Sequence, residues 1–385
     1  MLRRVLRADV QRRMFEFGGS GRVTPQLHHM PNSHPCDRDV LNRGERKAYI
    51  AAVQCLQSLP AKTPASTAAG AKTRFDDFVA VHIAQTPFIH YTGTFLSWHR
   101  YYLFLYEKAL QTECGYTGTQ PVCSNGACSR QLLTHLYQYW DWADTAISGL
   151  ENSPIFDGSD TSMSGNGEYI PNRLDIIVGG GALARPPVIL PPGTGGGCVI
   201  SGPFKNMTVN LGPMALDEPG SVVASNPAGP LAYNPRCLKR DLTTEVNKRY
   251  ANATAILSTI RTPDVDAFQL ALQGPPDSDN IGPHGGGHYA LGGDPGRDFF
   301  ASPGDPVFYL HHAMIDRVWW MWQMLSLDRQ AGLGAVAGTN TFLNDPPSAN
   351  TSIYDYIDVG YAGGPPTKIM DLLSTVAGPF CYVYV

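Results

Sequence analysis

The amino-acid sequence predicts a mainly α-helical fold with long irregular loops and few short strands. Four blocks of the 385-residue chain carry apolar residues at helical spacing. A long stretch between about residues 149 and 235 is instead rich in Gly, Pro, Ser and Asn and shows no sustained period of 2 or 3.6. Hydrophobic residues make up 43% of the chain and charged residues 16%. This balance favours a packed core over disorder.

The first three predicted helices lie in the N-terminal third of the chain. The first spans Asp39 to Leu59 and stops before Pro60. The second runs from Arg74 to about Ala84 and is ended by Pro87, because proline cannot donate to the helical ladder. The third covers Phe95 to Leu110 and is apolar nearly all round, so we expect it to be buried.

The fourth predicted helix begins at Asp305-Pro306, which supplies an N-cap side chain followed by proline at the first helical position. The irregular stretch at 149–235 could be a linker between two domains. We favour a loop-rich insertion in one domain, because the histidines discussed below lie on both sides of it. The predicted organisation is an N-terminal extension at 1–35 and a single domain at 36–385.

Composition excludes several classes of partner. The net charge of −4 is spread along the chain without a dense basic run, so nucleic acid is not expected to bind. No stretch reaches the roughly 18 apolar residues needed to span a bilayer, which predicts a soluble protein that does not enter membranes.

Cysteine usage indicates an oxidising compartment. The chain has eight cysteines, an even number without close CxxC pairs, and three glycosylation sequons beginning at Asn206, Asn252 and Asn350. We therefore interpret the protein as secreted and disulfide-bonded, although the Arg-rich start lacks the apolar core of a signal peptide. The alternative is a cytosolic protein with free thiols.

Six of the eleven histidines form two groups with metal-ligand character. The first group brings three histidines from successive elements toward one ion, and the second includes a pair at i, i+4 on one helix face. The groups are His82, His90 and His99, then His284, His288 and His312. Imidazole suits copper, zinc, iron and nickel alike, so residue type alone does not name the metal.

The remaining histidines are better explained without a metal. His311 and His312 are adjacent and lie about 100° apart around a helix, so only one of them can point at a given ion. The other four occupy loop-like or ordinary helical positions and are interpreted as structural: His28, His29, His34 and His135.

Several motifs resemble those of the tyrosinase family of type-3 copper proteins, which includes catechol oxidases and molluscan haemocyanin units. The resemblance covers about residues 36 to 384 and is similar in detail to short secreted fungal members. Its motifs are His99-Arg-Tyr-Tyr, Tyr139-Trp-Asp-Trp142, His284-x-x-x-His288 and Asp305-Pro-x-Phe308-x-x-His311-His312-x-x-x-Asp316-Arg317.

The resemblance implies a central four-helix bundle holding two copper ions, three histidines to each, with His312 as the ligand of the adjacent pair. It also implies an O2-dependent polyphenol oxidase that converts o-diphenols (catechols) into o-quinones. The alternatives are a full tyrosinase with substantial monophenol hydroxylation, a haemocyanin-like O2 carrier, and a zinc hydrolase, although the last lacks a carboxylate base between His284 and His288.

Three further positions carry expectations about activity. Efficient monophenol hydroxylases of the family often have Asn after the first ligand of the second copper, where this chain has Gly285, so diphenolase activity should exceed monophenolase activity. Phe299 resembles a residue that caps the copper site in some plant catechol oxidases. Asp316, at i+4 from His312, is expected to orient that ring, unless it pairs with Arg317 or with a neighbouring helix.

Two expectations concern what this chain lacks. Some fungal relatives have a cysteine two residues before the second ligand that cross-links to it, whereas this chain has Phe88 there, so no such thioether is expected. The end of the chain, Cys381-Tyr-Val-Tyr384, resembles the tyrosine pair that closes the family's catalytic domain, so no C-terminal lid domain and an accessible site are expected. We also expect a monomer.

Overall fold

The structure, a computed structural model, describes residues 41–118, 139–178, 186–220 and 222–384. The N-terminal extension, His28, His29, His34, His135 and the cysteines at 36, 123 and 128 lie outside these ranges. The described chain is mainly helical. Its α-helices, in chain order, are α1 Arg43–Leu56, α2 Arg74–Ile89, α3 Phe95–Cys114, α4 Trp142–Ser148, α5 Thr244–Tyr250, α6 Ala253–Ile260, α7 Val265–Gln273, α8 Gly282–Leu291 and α9 Val307–Met324. None of the helices in the described ranges is long and apolar enough to cross a membrane.

Helix boundaries follow local side-chain chemistry. A capping box at Asn42 starts α1, and a second one at Thr73 with Asp76 starts α2. Helix α3 runs on to Cys114 and ends at Gly115, whose φ of 63° is the left-handed conformation that glycine adopts readily. The predicted fourth helix is α9. Its N-cap residue is Pro306, one residue later than predicted, and the preceding Asp305 accepts the Val307 N–H at 2.9 Å.

The prediction that Pro87 ends the second helix was wrong. Helix α2 continues through Pro87 to Ile89, and His90 is its extended C-cap residue. A proline in the last turn removes only one hydrogen bond of the helix, which is tolerable where the turn is well packed. The buried Thr86 adds a bond at this turn, because its hydroxyl donates to the His82 carbonyl at 2.7 Å.

The irregular insertion is built from short antiparallel ribbons. Its strands pair in twos, and a further pair lies near the C-terminus: β1 Gly167–Tyr169 with β4 Gly196–Val199, β2 Ile176–Val178 with β3 Val188–Leu190, β5 Thr208–Val209 with β8 Arg236–Cys237, β6 Leu216–Glu218 with β7 Val222–Ala224, and β9 Tyr356–Ile357 with β10 Thr367–Lys368. The expectation of few, short strands is therefore confirmed.

Covalent and ionic links fasten these parts together. Disulfides join Cys55 to Cys114, and Cys198 in the insertion to Cys237 just after it, and Cys381 is also disulfide-bonded. Arg240 and Asp305 form a fully buried ion pair at 2.8 Å, which ties the end of the insertion to the start of α9.

Candidate metal centre

Four helices bring the six predicted histidines together in the core. Helix α2 carries His82 and ends at His90, and α3 carries His99. The ligand atoms of these three rings lie within 4.8 Å of one another. Helix α8 carries His284 and His288, and α9 carries His311 and His312. These four rings form a second group within the same limit.

Backbone carbonyls orient the rings of the first group. Nδ1 of His82 faces the Phe300 carbonyl at 2.7 Å, and Nδ1 of His99 faces the Phe95 carbonyl at 2.7 Å. Nδ1 of His90 faces the Thr86 carbonyl at 3.2 Å. A carbonyl can only accept, so each Nδ1 carries the proton and each Nε2 keeps its lone pair. The buried Nε2 atoms of His82 and His99 have no hydrogen-bond partner in the described residues.

The second group shows the same arrangement at His288, whose Nδ1 faces the Gly296 carbonyl at 3.0 Å. Nε2 of His288 lies 3.3 Å from Nε2 of His312. Two ring nitrogens that face each other at this distance share either one proton or one cation. Nε2 of His284 is buried without a partner within the described ranges, as is Nδ1 of His312.

His311 belongs to the second group by distance but not by chemistry. Its Nδ1 accepts a hydrogen bond from the indole N–H of Trp142 at 3.1 Å, and its Nε2 faces the His284 carbonyl at 3.0 Å. Both ring nitrogens are therefore in use, and no lone pair is left for a metal. This supports the prediction that His312 is the ligand of the adjacent pair.

Burial keeps these imidazoles neutral. Loss of solvation is the main reason that the pKa of His82 is lowered to about 3; the hydrogen bond to the Phe300 carbonyl opposes this shift, and His288 adds a smaller lowering effect. Loss of solvation also lowers the pKa of His288 to about 4. The other three rings have pKa values well below 6.5, chiefly from burial and then from neighbouring histidines: His90, His99 and His284. Burial lowers the pKa of His312 in the same way. Neutral imidazole is the form that binds metals.

Two phenylalanines line the centre. Phe308, at i−4 from His312, stacks on that ring with centroids 4.0 Å apart and contacts His82 edge-on at 5.3 Å. The half-buried Phe299 lies 4.6 Å from the ring of His90. Phe299 is therefore in place to limit access to the first group.

The expectation that Asp316 orients His312 was wrong. Its Oδ1 accepts from Arg100 Nε at 2.6 Å, and its Oδ2 accepts from the hydroxyls of Tyr382 at 2.6 Å and Tyr384 at 2.7 Å. Asp316 thus pairs with a neighbouring helix, which was the alternative. The buried Arg100 needs this counter-charge, because an unpaired guanidinium there would be costly.

The glycines of α8 are explained by close packing. A Cβ on Gly287 would lie 2.1 Å from Cε1 of His311, and one on Gly286 would lie 2.5 Å from Cβ of Tyr250. Gly285 differs, because a Cβ there would meet only the Ile281 side chain, at 3.1 Å. The half-buried Gly285 is the next residue after His284.

Sequence reasoning missed the roles of Trp142 and Arg100. The Tyr139-Trp-Asp-Trp142 motif was a usable signal, but nothing in the sequence shows that its last indole reaches His311 across 169 residues. The pairing of Arg100 with Asp316 likewise depends on how α3 and α9 pack.

Comparison with known proteins decides the family. The sequence profile of the common central domain of tyrosinase matches residues 72–325. This chain belongs to the tyrosinase family.

The similarity to individual tyrosinase-family proteins extends over most of the chain. Tyrosinase P of Aspergillus terreus is 39% identical over 349 residues, covering 89% of each protein. The N-acetyl-6-hydroxytryptophan oxidase of Emericella nidulans is 36% identical over 89% of this chain and 90% of its own. A solved glycine-to-asparagine variant of polyphenol oxidase from Thermothelomyces thermophila is 48% identical, with a TM-score of 0.78, and covers 91% of this chain and 87% of its own.

Membership of the tyrosinase family settles the broad chemistry. Family members are dinuclear copper proteins, and the two histidine groups could hold such ions. The protein is an oxidoreductase of polyphenol oxidase type that acts on phenolic substrates with O2. The fold, with its four-helix core, is that of the tyrosinase and polyphenol oxidase family.

Proposed function

We propose that the protein oxidises o-diphenols to o-quinones and hydroxylates monophenols weakly or not at all. The observation that carries this proposal is the pair of histidine groups in the core. Backbone carbonyls hold the Nδ1 protons of four rings, and the buried Nε2 atoms of His82, His99 and His284 have no partner among the described residues. Both groups consist of histidine alone among the residues that the structure describes. Neutral ligands of this kind leave two copper ions able to accept electrons from a catechol.

The proposed copper ligands are His82, His90 and His99 for one ion and His284, His288 and His312 for the other. Bound copper would supply the binding of O2 and the two-electron chemistry. The protein holds the imidazoles in fixed orientations, so that little rearrangement is needed when the ions bind. His311 supports the site by fixing the backbone at His284.

Two features favour diphenols over monophenols. A monophenol must lose its proton before it can be hydroxylated, which calls for a base or a held water near the metal. Gly285 offers no side chain for this purpose. The nearby Gln273 is already engaged, because its Oε1 accepts the Tyr91 N–H at 2.9 Å. A catechol needs less help of this kind, since it gives up two electrons without ring hydroxylation.

Phe299 is proposed to restrict how substrates approach the first group. Its ring packs against His90 and also against Phe342, with centroids 5.7 Å apart. A large apolar ring in this position favours small, flat phenols over bulky ones.

We further propose a secreted monomer in which residues 36–385 form one catalytic domain. The disulfides favour an oxidising compartment, and Asn206 and Asn350 of the sequons are exposed. A single chain supplies all six proposed ligands, so the site is complete without a partner. Light scattering during size-exclusion chromatography of the secreted protein tests the monomer.

Metal analysis and quinone formation test the main proposal. The purified protein should hold two coppers per chain and turn catechol into its quinone in air, with a much lower rate on the matching monophenol. One zinc per chain would overturn the proposal. Two coppers that bind O2 reversibly without quinone formation would identify a carrier, and equal rates on both phenols would identify a full tyrosinase.

A further inference from the structure

One loop forms a hydrogen bond with one ring in each of the two histidine groups. We call residues 292–301, between α8 and the short 3-10 helix Ser302–Gly304, the linking loop. Its Phe300 carbonyl accepts from Nδ1 of His82 at 2.7 Å, and its Gly296 carbonyl accepts from Nδ1 of His288 at 3.0 Å. The loop therefore orients one ring in each group.

A single buried carboxylate shapes the linking loop. Asp298 is fully buried and accepts four backbone N–H groups. Its Oδ1 accepts from Phe300 at 2.8 Å and Ala301 at 3.0 Å, and its Oδ2 accepts from Met214 at 2.7 Å and Ala215 at 3.2 Å. Bonds from backbone N–H groups to a carboxylate are stronger than neutral ones. The carboxylate thus binds the linking loop to Met214 and Ala215 of the insertion.

The geometry of one peptide group links Asp298 to His82. The Ala301 N–H that donates to Asp298 belongs to the same planar peptide as the Phe300 carbonyl that accepts from His82. Because a trans peptide is planar and its N–H and C=O point in opposite directions, fixing the N–H fixes the carbonyl. A carboxylate on the N–H also polarises the peptide and makes its carbonyl a stronger acceptor.

Among the described residues, no carboxylate stands in this way behind the carbonyl that orients His288. The Gly296 carbonyl that accepts from His288 shares its peptide with the Arg297 N–H, which donates to the Gly293 carbonyl at 3.3 Å. The acceptor behind this peptide is therefore neutral and more distant. His82 and His288 therefore differ in charge support, although a backbone carbonyl orients each of these two rings.

We propose that Asp298 is a positioning residue for the first histidine group: its carboxylate acts through the 300–301 peptide to hold the His82 imidazole and to strengthen it as a donor to the metal. The inference rests on the proposed copper ligands. Carboxylates that bond directly to ligating histidines do the same in other metal sites, and here one peptide group stands between them. The two metal positions are consequently unequal, and Asp298 supports only one of them.

The test measures copper(I) affinity at each group separately. In a His312→Ala background only the first group is intact, and in a His99→Ala background only the second is. Asp298→Asn keeps the shape of the side chain and removes its charge. It also places an NH2 group against one of the two pairs of backbone N–H groups that the carboxylate binds. Competition with a chromophoric copper(I) chelator should show that Asp298→Asn lowers the copper(I) affinity of the first group by about 10–100-fold. The loss at the second group should be under about threefold on the same scale.

Asp294→Asn is the matched control. Asp294 lies in the same loop and is also buried, but its carboxylate pairs with the Arg236 side chain at 2.6 Å. This variant should leave the ratio of the two affinities unchanged. Equal losses at both groups in Asp298→Asn, or no loss at either, would overturn the inference. Absence of tight copper binding in the otherwise unaltered chain would instead overturn the proposed function.

A spectroscopic readout covers the case in which Asp298→Asn fails to fold. In the copper(I) protein, which is diamagnetic, the Nδ1 protons of His82 and His288 should be resolved by proton NMR. The His82 proton should lie further downfield in the unaltered protein, because its acceptor is polarised by the carboxylate. Equal shifts for the two protons would contradict the inference without any variant.

Discussion

The indole N–H of Trp142 donates to Nδ1 of His311 at 3.1 Å, which leaves the adjacent His312 as the free imidazole of the pair. Two neighbouring histidines on one helix are thereby given different tasks. His311 has a structural role, because its ring forms hydrogen bonds with both Trp142 and the His284 carbonyl. His312 keeps its ring toward His288.

Matched glutamine substitutions should separate these tasks. His312→Gln should lose copper from the second group, because a proposed ligand is removed. His311→Gln should keep both coppers but lower the free energy of unfolding by about 1–3 kcal/mol, since a buried polar group loses its partner. Copper per chain after equilibration in buffered copper(I) and urea unfolding check both. The reverse pattern of copper loss would assign the ligand to His311.

The buried ion pair of Arg100 and Asp316 leads to a prediction about stability. Asp316→Asn should leave the buried guanidinium of Arg100 without its counter-charge, and we expect a loss of about 3–5 kcal/mol in the free energy of unfolding. Tyr382→Phe removes one neutral donor to the same carboxylate and should cost about 1 kcal/mol. Urea unfolding of the metal-free proteins measures both. Lower copper affinity with unchanged stability would instead revive an orienting role toward His312.

Much of this fold was predictable because local chemistry determines it. The apolar periodicity and caps predicted α1, α2, α3 and α9, and the i, i+4 spacing predicted that His284 and His288 share one helix face. The error at Pro87 arose because packing of a last turn outweighs the loss of one hydrogen bond. Helix ends were otherwise misplaced by a few residues, since side-chain caps decide them.

The support around the histidines was not predictable from sequence. The rings of His82 and His288 donate to the Phe300 and Gly296 carbonyls, which are backbone acceptors that any residue type could supply. The diversion of Asp316 to Arg100 depends on the packing of two helices distant in sequence. Residue type can identify a ligand, but its orienting partner is fixed by tertiary geometry.

Two alanine substitutions on α8 should differ in their effect on the free energy of unfolding. Alanine gains about 1 kcal/mol over glycine in a helix interior at either position. At Gly285→Ala the tight contact of the new Cβ with Ile281, at 3.1 Å, offsets this gain, so its stability should be near that of the unaltered protein. Gly287→Ala places a Cβ 2.1 Å from the rigid His311 ring. We expect the free energy of unfolding to fall by about 1–3 kcal/mol and the melting temperature to be lower. A stable Gly287→Ala protein with unchanged copper content would show that α8 and α9 can separate.

Acid should destabilise the metal-free protein. The pKa of His82 is lowered to about 3 and that of His288 to about 4, both by loss of solvation, whereas an unfolded histidine titrates near 6.5. The unfolded state therefore binds more protons below pH 6.5, and stability falls as the pH drops from there toward 4 and 3. His288 alone should account for a loss on the order of 3 kcal/mol. Urea unfolding between pH 7.5 and 4.5 measures the slope, and a flat profile would contradict burial of neutral imidazoles.

Gly285→Asn addresses the preference for diphenols. The new amide would lie next to His284 and could hold a water that takes the phenol proton, so the ratio of monophenol to diphenol rates should rise several-fold. Gly285→Ala is the matched control, because it adds the same Cβ against Ile281 without an amide. The alanine variant should keep the original ratio. If the ratio rises equally in both variants, the effect comes from a shift of α8 rather than from proton transfer. If it rises in neither, the missing side chain at position 285 does not limit monophenol hydroxylation.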